Sequence, residues 1–215
     1  MATRVKICGI TSANDAQQAQ AAGADALGLV FYPDSPRYID PLAALEVAEA
    51  VGPFVTLVGL FVDATEAEVN RIVERVPLNL LQFHGNEPPE FCASFSRPYI
   101  RALRMREGLN LGAAMSAHQH ARGFLLDAYV PGIPGGTGAR FDWSRVPQIA
   151  PKPLVLAGGL SPENVAEAIS IARPWAVDVS GGVEVSPGVK DAEKMASFVR
   201  AVRDTRLAAA GPVDK

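Results

Sequence analysis

The chain has 215 residues, enough to bury the core of one large domain, and it balances 20 Lys and Arg against 23 Asp and Glu for a formal charge of -3. With no basic block, the electrostatic footprint of a nucleic-acid binder is missing and small-molecule partners are expected. No apolar run approaches the roughly 18 residues of a membrane span. Cys8 and Cys92 are the only cysteines and no charged-then-apolar leader follows Met1, as expected for a reduced, cytoplasmic protein without a disulfide framework.

In chain order, Val5 to Cys8 reads as a short strand stopped by Gly9, and Ser12 with Asp15 resembles a capping box opening a helix to Ala22. Asp25 to Phe31 is the second strand. The loop after it, through Pro33, Pro36 and Arg37, has too much proline to be either element. Asp40 and Pro41 cap a helix to about Val51, and the nearly continuous apolar run from Phe54 to Phe61 fits a strand buried on both faces. Thr65 and Glu68 form another capping box for a helix to about Arg75. Leu78 to Phe83 is strand, Glu87 to Phe95 helix, Tyr99 to Arg104 strand, and Leu109 to His120 helix. Gly123 to Asp127 is the sixth strand, and a glycine-rich loop from Pro131 to Arg140 leads to a short helical turn near Trp143.

The last part of the chain repeats one design, an apolar strand emptying into paired glycines. Pro153 to Ala157 ends at Gly158 and Gly159, and Trp175 to Ser180 ends at Gly181 and Gly182. Between them Ser161 reads as an N-cap, with Pro162 at the first helical position. Glycine pairs let backbone N–H groups approach an anion, and an adjacent helix start adds a favourable dipole, so these turns read either as a phosphate cradle or as plain tight turns. Asp191 to Leu207 is a final amphipathic helix, and residues from Ala208 to Lys215 read as a disordered tail.

Strands recur about every 20 to 30 residues with no composition shift between halves, which places residues 1–207 in one α/β domain. Such alternation fits a doubly wound sheet or a barrel. Eight repeats and a double glycine turn after the last two strands favour a single (β/α)8 TIM barrel, and no G-x-G-x-x-G follows strand one. The loop from Gly132 to Gly138 lacks the Lys-Ser/Thr of a P-loop.

In a barrel, chemistry gathers at the C-terminal strand ends. The polar residues there are Cys8, Arg37, Gln82, His84, Asp127, Asp178 and Ser180. Cys8 and Asp127 would face each other across the mouth. Cys8 is either a small apolar filler or a base, and Asp127 either caps its loop or is a partly desolvated acid. Arg37 could grip a carboxylate through two hydrogen bonds or simply be solvated. Gln82 and His84 flank Phe83 at period two and should share a face. His84, His118 and His120 make no metal-ligand spacing, so no metal is expected.

Taken together, Lys6-Ile7-Cys8-Gly9-Ile10, Ser35-Pro36-Arg37, Leu81-Gln82-Phe83-His84-Gly85, Leu126-Asp127, Gly135-Gly136-Thr137-Gly138, Leu156 to Asn164 and Asp178-Val179-Ser180 closely resemble the phosphoribosylanthranilate isomerase family of tryptophan biosynthesis. The motifs span nearly the whole chain in order. The resemblance implies a cofactor-free, monomeric enzyme that converts the phosphosugar N-(5-phosphoribosyl)anthranilate into its 1-deoxyribulose 5-phosphate isomer by an Amadori rearrangement. It further implies that Asp127 is the general acid, Cys8 the general base and Arg37 the holder of the anthranilate carboxylate. Gly158, Gly159, Ser180, Gly181 and Gly182 would hold the phosphate, and Gln82, His84 and Asp178 would line the substrate. The family commonly has a second serine where this chain has Gly181, which keeps a backbone amide and loses a hydroxyl. Other phosphosugar barrels stay in view: a ribulose-phosphate epimerase would need metal ligands, and an indole-glycerol-phosphate synthase would need strand-end lysines. A phosphate-ligand binding protein on the same scaffold is the non-enzymatic reading.

Overall fold

The computed structural model describes residues 3–128 and 141–210. Strands β1 (Arg4–Cys8), β2 (Ala26–Val30), β3 (Thr56–Phe61), β4 (Leu80–Phe83), β5 (Tyr99–Arg104), β6 (Phe124–Asp127), β7 (Leu154–Leu156) and β8 (Ala176–Val179) pair in sequence order, and β8 returns to β1 in parallel to close a barrel. Outside it lie α1 (Ala13–Ala22), α2 (Pro41–Ala50), α3 (Glu66–Arg75), α4 (Pro89–Ala93), α5 (Leu111–Ala117), α6 (Val165–Ala172) and α7 (Ala192–Ala210). Between β6 and β7 the described structure is one 3-10 turn, Trp143–Arg145. The expected fold class, a (β/α)8 barrel, is the one observed.

Side chains alternate across each strand, so closing the sheet sorts them into two populations. Ile7, Leu27, Phe61, Leu81, Phe83 and Leu126 face outward into the layer beneath the helices. Ile100, Ala102, Leu125, Val155, Ala157 and Ala176 form a separate apolar cluster. Gln82 and His84 have the parity opposite to Phe83, whose ring packs against those of Phe61, Phe91, Phe95 and Tyr99. Two arginines of β5 then fix the turn that leaves β4. Arg101 donates to Phe83 O at 3.0 Å, Gly85 O at 2.8 Å and Glu87 Oε2 at 2.6 Å, and Arg104 donates to His84 O at 2.7 Å.

Several local expectations shift. The third strand starts at Thr56, because Gly52 to Phe54 turn out of the barrel and leave Phe54 97% exposed. Trp175 stands just ahead of β8, with the Arg4 guanidinium 4.4 Å from its ring centre. The Thr65–Glu68 capping box is complete, whereas Ser12 accepts from Asp15 N–H while the Asp15 carboxylate accepts the Lys190 N–H. Ser161 and Pro162 do not begin α6. Asn164 Oδ1 accepts from Ser161 N–H and its Nδ2 donates to Gly159 O, folding that stretch into a turn tied to the glycine pair. A hairpin of β9 (Glu184–Ser186) and β10 (Val189–Lys190), absent from the sequence expectations, follows β8. Helix α7 runs through Ala210, past the expected end at Leu207. The glycine-rich loop from Pro131 to Arg140 and the last five tail positions, 211–215, lie outside the described residues.

His118, at the end of α5, is buried against the Tyr99 ring, and burial together with nearby Arg101 drives its pKa down to about 4. An unfolded chain, with an ordinary histidine near 6.5, takes up this proton first. The stability due to neutral His118 is therefore full above pH 6.5 and is lost as pH falls toward 4. Thermal unfolding should show the wild type losing on the order of 1 kcal/mol more than His118→Phe across that window. Parallel pH curves for the two proteins would refute the linkage.

Candidate active site

A cleft opens at the C-terminal mouth of the barrel, and every residue singled out above as a site candidate lines it: Cys8, Arg37, Gln82, His84, Asp127, Gly158, Gly159, Asp178 and Ser180 to Gly182. The strand ends bring them together because β1, β2, β3, β4, β6 and β8 each contribute a side chain near their C-terminal end to one rim, and the turns after β7 and β8 complete it.

Cys8 ends β1 and is 5% exposed. Gly9 follows in the left-handed region, with φ 76°. A Cβ there would lie 2.6 Å from Arg37 Cδ and 3.1 Å from Ser180 Oγ, so only glycine lets the Arg37 loop and the end of β8 close on the thiol. Burial pushes the Cys8 thiol up from its ordinary value; the Lys6 ammonium offsets part of this, and the net direction is up.

Asp127 ends β6 on the far side of the cleft. Its Oδ1 accepts the Ala128 N–H at 2.9 Å, and its Oδ2 lies 3.2 Å from His84 Nε2. Gln82 Nε2 is 3.2 Å from His84 Nδ1. The contact of His84 Nε2 with Asp127 is off the line of a hydrogen bond. His84 Nε2 and Gln82 Oε1 are thus buried polar atoms without a hydrogen-bond partner, both on residues that line the cleft. Such atoms cost about 1–3 kcal/mol each when unpaired, and a hydroxylated ligand would satisfy them.

Arg37 is held rather than solvated. Its Nε and Nη2 donate to Glu184 Oε1 and Oε2 at 2.9 and 2.8 Å, a fork that leaves the end-on edge of the guanidinium for a second anion. Lys190 Nζ donates to the same Glu184 at 2.7 Å and approaches Ser180 O and Oγ at 3.4 and 3.5 Å. Burial raises the Glu184 carboxyl, but Arg37 and Lys190 outweigh it and the net direction is down.

The glycine turns have the geometry of close backbone approach. Gly158 and Gly159 both take positive φ, 86° and 61°, and a Cβ on Gly158 would sit 2.6 Å from Ala128 N. A Cβ on Gly182 would overlap the Leu160 carbonyl. At Gly181 it would meet Arg37 Nη2 at 3.3 Å, so a side chain there is tight against the guanidinium.

Asp178 lines the cleft, yet its Oδ1 is committed to Lys6 Nζ at 2.8 Å, and both side chains are buried. Lys6, Glu184 and Lys190 are the functional-looking residues that sequence reasoning passed over. Lys6 had a signal: it shares strand parity with Cys8, and a lysine inside a barrel requires a carboxylate partner. Glu184 and Lys190 had none, since the hairpin that carries them is too short to show a period. Among the described residues, no group of three or more His, Cys, Asp and Glu side chains could hold a metal ion.

Comparison with known proteins agrees with this geometry. The family model described as N-(5'phosphoribosyl)anthranilate (PRA) isomerase matches residues 5–201. The N-(5'-phosphoribosyl)anthranilate isomerase of Pseudomonas aeruginosa (strain UCBPP-PA14) is 57% identical over 205 residues, covering 95% of this chain and 97% of that protein. The solved phosphoribosyl anthranilate isomerase of Thermotoga maritima superposes with a TM-score of 0.86 at 39% identity, covering 94% of this chain and 99% of the other. A further solved phosphoribosyl anthranilate isomerase, in complex with reduced 1-(o-carboxyphenylamino)-1-deoxyribulose 5-phosphate, gives a TM-score of 0.82 at 38% identity, with coverage of 94% and 99%. With a matching barrel and matches over nearly its whole length, the chain belongs to the N-(5'-phosphoribosyl)anthranilate isomerase family.

Proposed function

We propose that the chain isomerises N-(5'-phosphoribosyl)anthranilate to 1-(2-carboxyphenylamino)-1-deoxyribulose 5-phosphate, with Asp127 as general acid and Cys8 as general base. The observation that carries the assignment of roles is the placement of one thiol and one carboxyl, from β1 and β6, on one cleft beside two glycine turns. Asp127, in its protonated form, gives its proton to the furanose ring oxygen. The C1–O bond breaks, and the anilino nitrogen lone pair forms the iminium. Cys8, as thiolate, then removes the C2 proton, and the C–H electrons neutralise the iminium to give an enolamine. The enol hydroxyl loses its proton and C1 gains one, leaving the ketone. No atom is gained or lost, so the reaction needs acid, base and orientation alone.

The remaining cleft residues orient the substrate. Gly158, Gly159 and Ser180 to Gly182 receive the phosphate on backbone N–H groups, and the unpartnered atoms of Gln82 and His84 meet sugar oxygens. Arg37 offers its free guanidinium edge to the anthranilate carboxylate. Asp178 serves this surface indirectly, through its bond to Lys6. All the residues given a role above come from one chain, and the working unit is taken as a monomer. No helix of the described residues is long and apolar enough to cross a membrane, and we place the enzyme in the cytoplasm.

Turnover is followed by the loss of anthranilate fluorescence. Cys8→Ser and Asp127→Asn should each lower kcat by at least about 10²-fold with the fold intact. Near-normal turnover by either folded variant removes that residue from the mechanism.

Arg37→Ala should raise KM more than it lowers kcat, with kcat/KM falling about tenfold to a hundredfold, the worth of a charge-assisted bidentate contact. Lys190 still pairs with Glu184 in this variant, so no lone buried carboxylate confuses the result. Lysine at position 37 should rescue poorly, because it lacks the planar fork. On an analogue without the carboxylate, wild type and Arg37→Ala should converge; equal impairment there would show that Arg37 serves something other than the carboxylate.

A further inference from the structure

Lys6 stands two residues before Cys8 on β1, so both side chains enter the barrel from the same face. It is 5% exposed, and its Nζ reaches Asp178 Oδ1 across the β1–β8 seam, where the two residues are register partners. Stability alone does not account for a lysine at this depth. A buried ion pair is often no more stabilising than apolar residues of its volume, and the inward-facing cluster around Leu125 and Val155 shows that such residues fit this barrel.

Gly28 supplies a second, independent observation. It is the register partner of Cys8 on β2, and a Cβ there would lie 2.6 Å from Cys8 Sγ and 3.0 Å from Lys6 Nζ. The sulfur and the ammonium therefore flank the same small space, one that exists only because β2 has no side chain at that position. Any other residue at position 28 would drive them apart.

We propose that the Lys6–Asp178 pair is a positioning device for the base, in which Lys6 lowers the cost of forming the Cys8 thiolate in this buried site, Asp178 anchors Lys6 and tempers its charge, and Gly28 keeps the two close. The proposal rests on the reading of Cys8 as the general base. An ammonium beside a thiol favours the thiolate, and a base that must remove a carbon-bound proton works as the thiolate. The other charged or titratable groups around Cys8 are Tyr32, Asp34 and Arg37 from the loop after β2, His84 and Asp127 at the ends of β4 and β6, and Lys190 from β10. Arg37 and Lys190 divide their charge with Glu184, which leaves Lys6 as the cation that acts most strongly on the sulfur. Burial lowers the proton affinity of Lys6, but Asp178 and Cys8 outweigh it, so Lys6 keeps its proton throughout the working range.

The test is the pH dependence of Cys8 alkylation by iodoacetamide, read at Cys8 by peptide mass spectrometry. Cys92 is fully buried with its thiol pushed up to about 12, and it stays silent. Lys6→Met should move the alkylation midpoint upward and slow labelling at neutral pH about tenfold, whereas Asp178→Asn should move it downward. In turnover, Lys6→Met should shift the acidic limb of kcat upward with KM little changed. Opposite signs from the two variants are the signature, since general loosening of the barrel would expose Cys8 and speed labelling in both. If Lys6→Met fails to fold by circular dichroism, the Lys6→Met/Asp178→Asn double variant, which leaves no lone buried charge, must still have a midpoint above wild type. Midpoints that do not move, or that move the same way in both single variants, overturn the proposal. Because alkylation needs no turnover, this outcome is independent of whether Cys8→Ser abolishes activity.

Discussion

The Lys6–Asp178 ion pair is the interaction on which the mouth of this barrel depends. It joins residues 172 positions apart, on the first and last strands of the barrel, at the seam where the sheet closes. Removing one partner of a buried pair costs about 3–5 kcal/mol, because the other charge is left without compensation. That penalty makes the pair a register lock. A slip of one residue between β1 and β8 would turn one charge out into the apolar layer around Ile7 and Val179. With the seam fixed, Cys8 and Ser180 are placed at the rim by strand parity, one pleat above the pair.

The same parity explains why the upper half of the barrel can be polar without weakening the fold. Most outward positions of the strands are filled by large apolar side chains beneath the helices, and these make up much of the main apolar core. Inward positions near the C-terminal ends of the strands line the cleft. Cys8, Gln82, His84, Asp127 and Asp178 occupy these positions at small cost to the core. Arg101, with the opposite parity, braces the β4 turn from outside, so His84 is set by contacts that do not themselves enter the cleft.

Much of this was legible in the sequence, for physical reasons that also mark where it stopped. Parallel strands buried on both faces read as apolar runs, so their number and order were plain. Phe54 misled because an apolar run continues into a turn that points its ring to solvent. Ser161 misled because a serine before a proline is a good N-cap, and only the tertiary bond from Asn164 to Gly159 shows that the chain folds a tight turn first. Strand-end polar residues could be gathered by position alone, which found the thiol, the carboxyl and the glycine turns. What could not be seen was pairing across the barrel. Asp178 looks from sequence like a residue that meets a ligand, and its carboxylate is instead taken by a lysine 172 positions away.

On the proposed placement of the phosphate, the Arg37, Glu184 and Lys190 cluster offers a reason why the cleft can lack a hydroxyl at position 181. Two cations share one carboxylate, so this corner of the mouth carries a net positive charge in a largely buried setting. Lys190 approaches the Ser180 hydroxyl and carbonyl, and Arg37 Nη2 lies against the position where a side chain on Gly181 would begin. A serine at 181 would bring one neutral hydrogen bond, worth about 1 kcal/mol, into space bordered by the guanidinium. Glycine leaves the backbone N–H in place and lets the charge stand closer to an incoming anion, where the low local dielectric strengthens it. Glu184 makes that arrangement stable by holding both cations through its two oxygens. The hairpin that carries Glu184 and Lys190 is thus the element that couples the Arg37 loop to the glycine turn after β8, and it fixes the positively charged corner of the cleft.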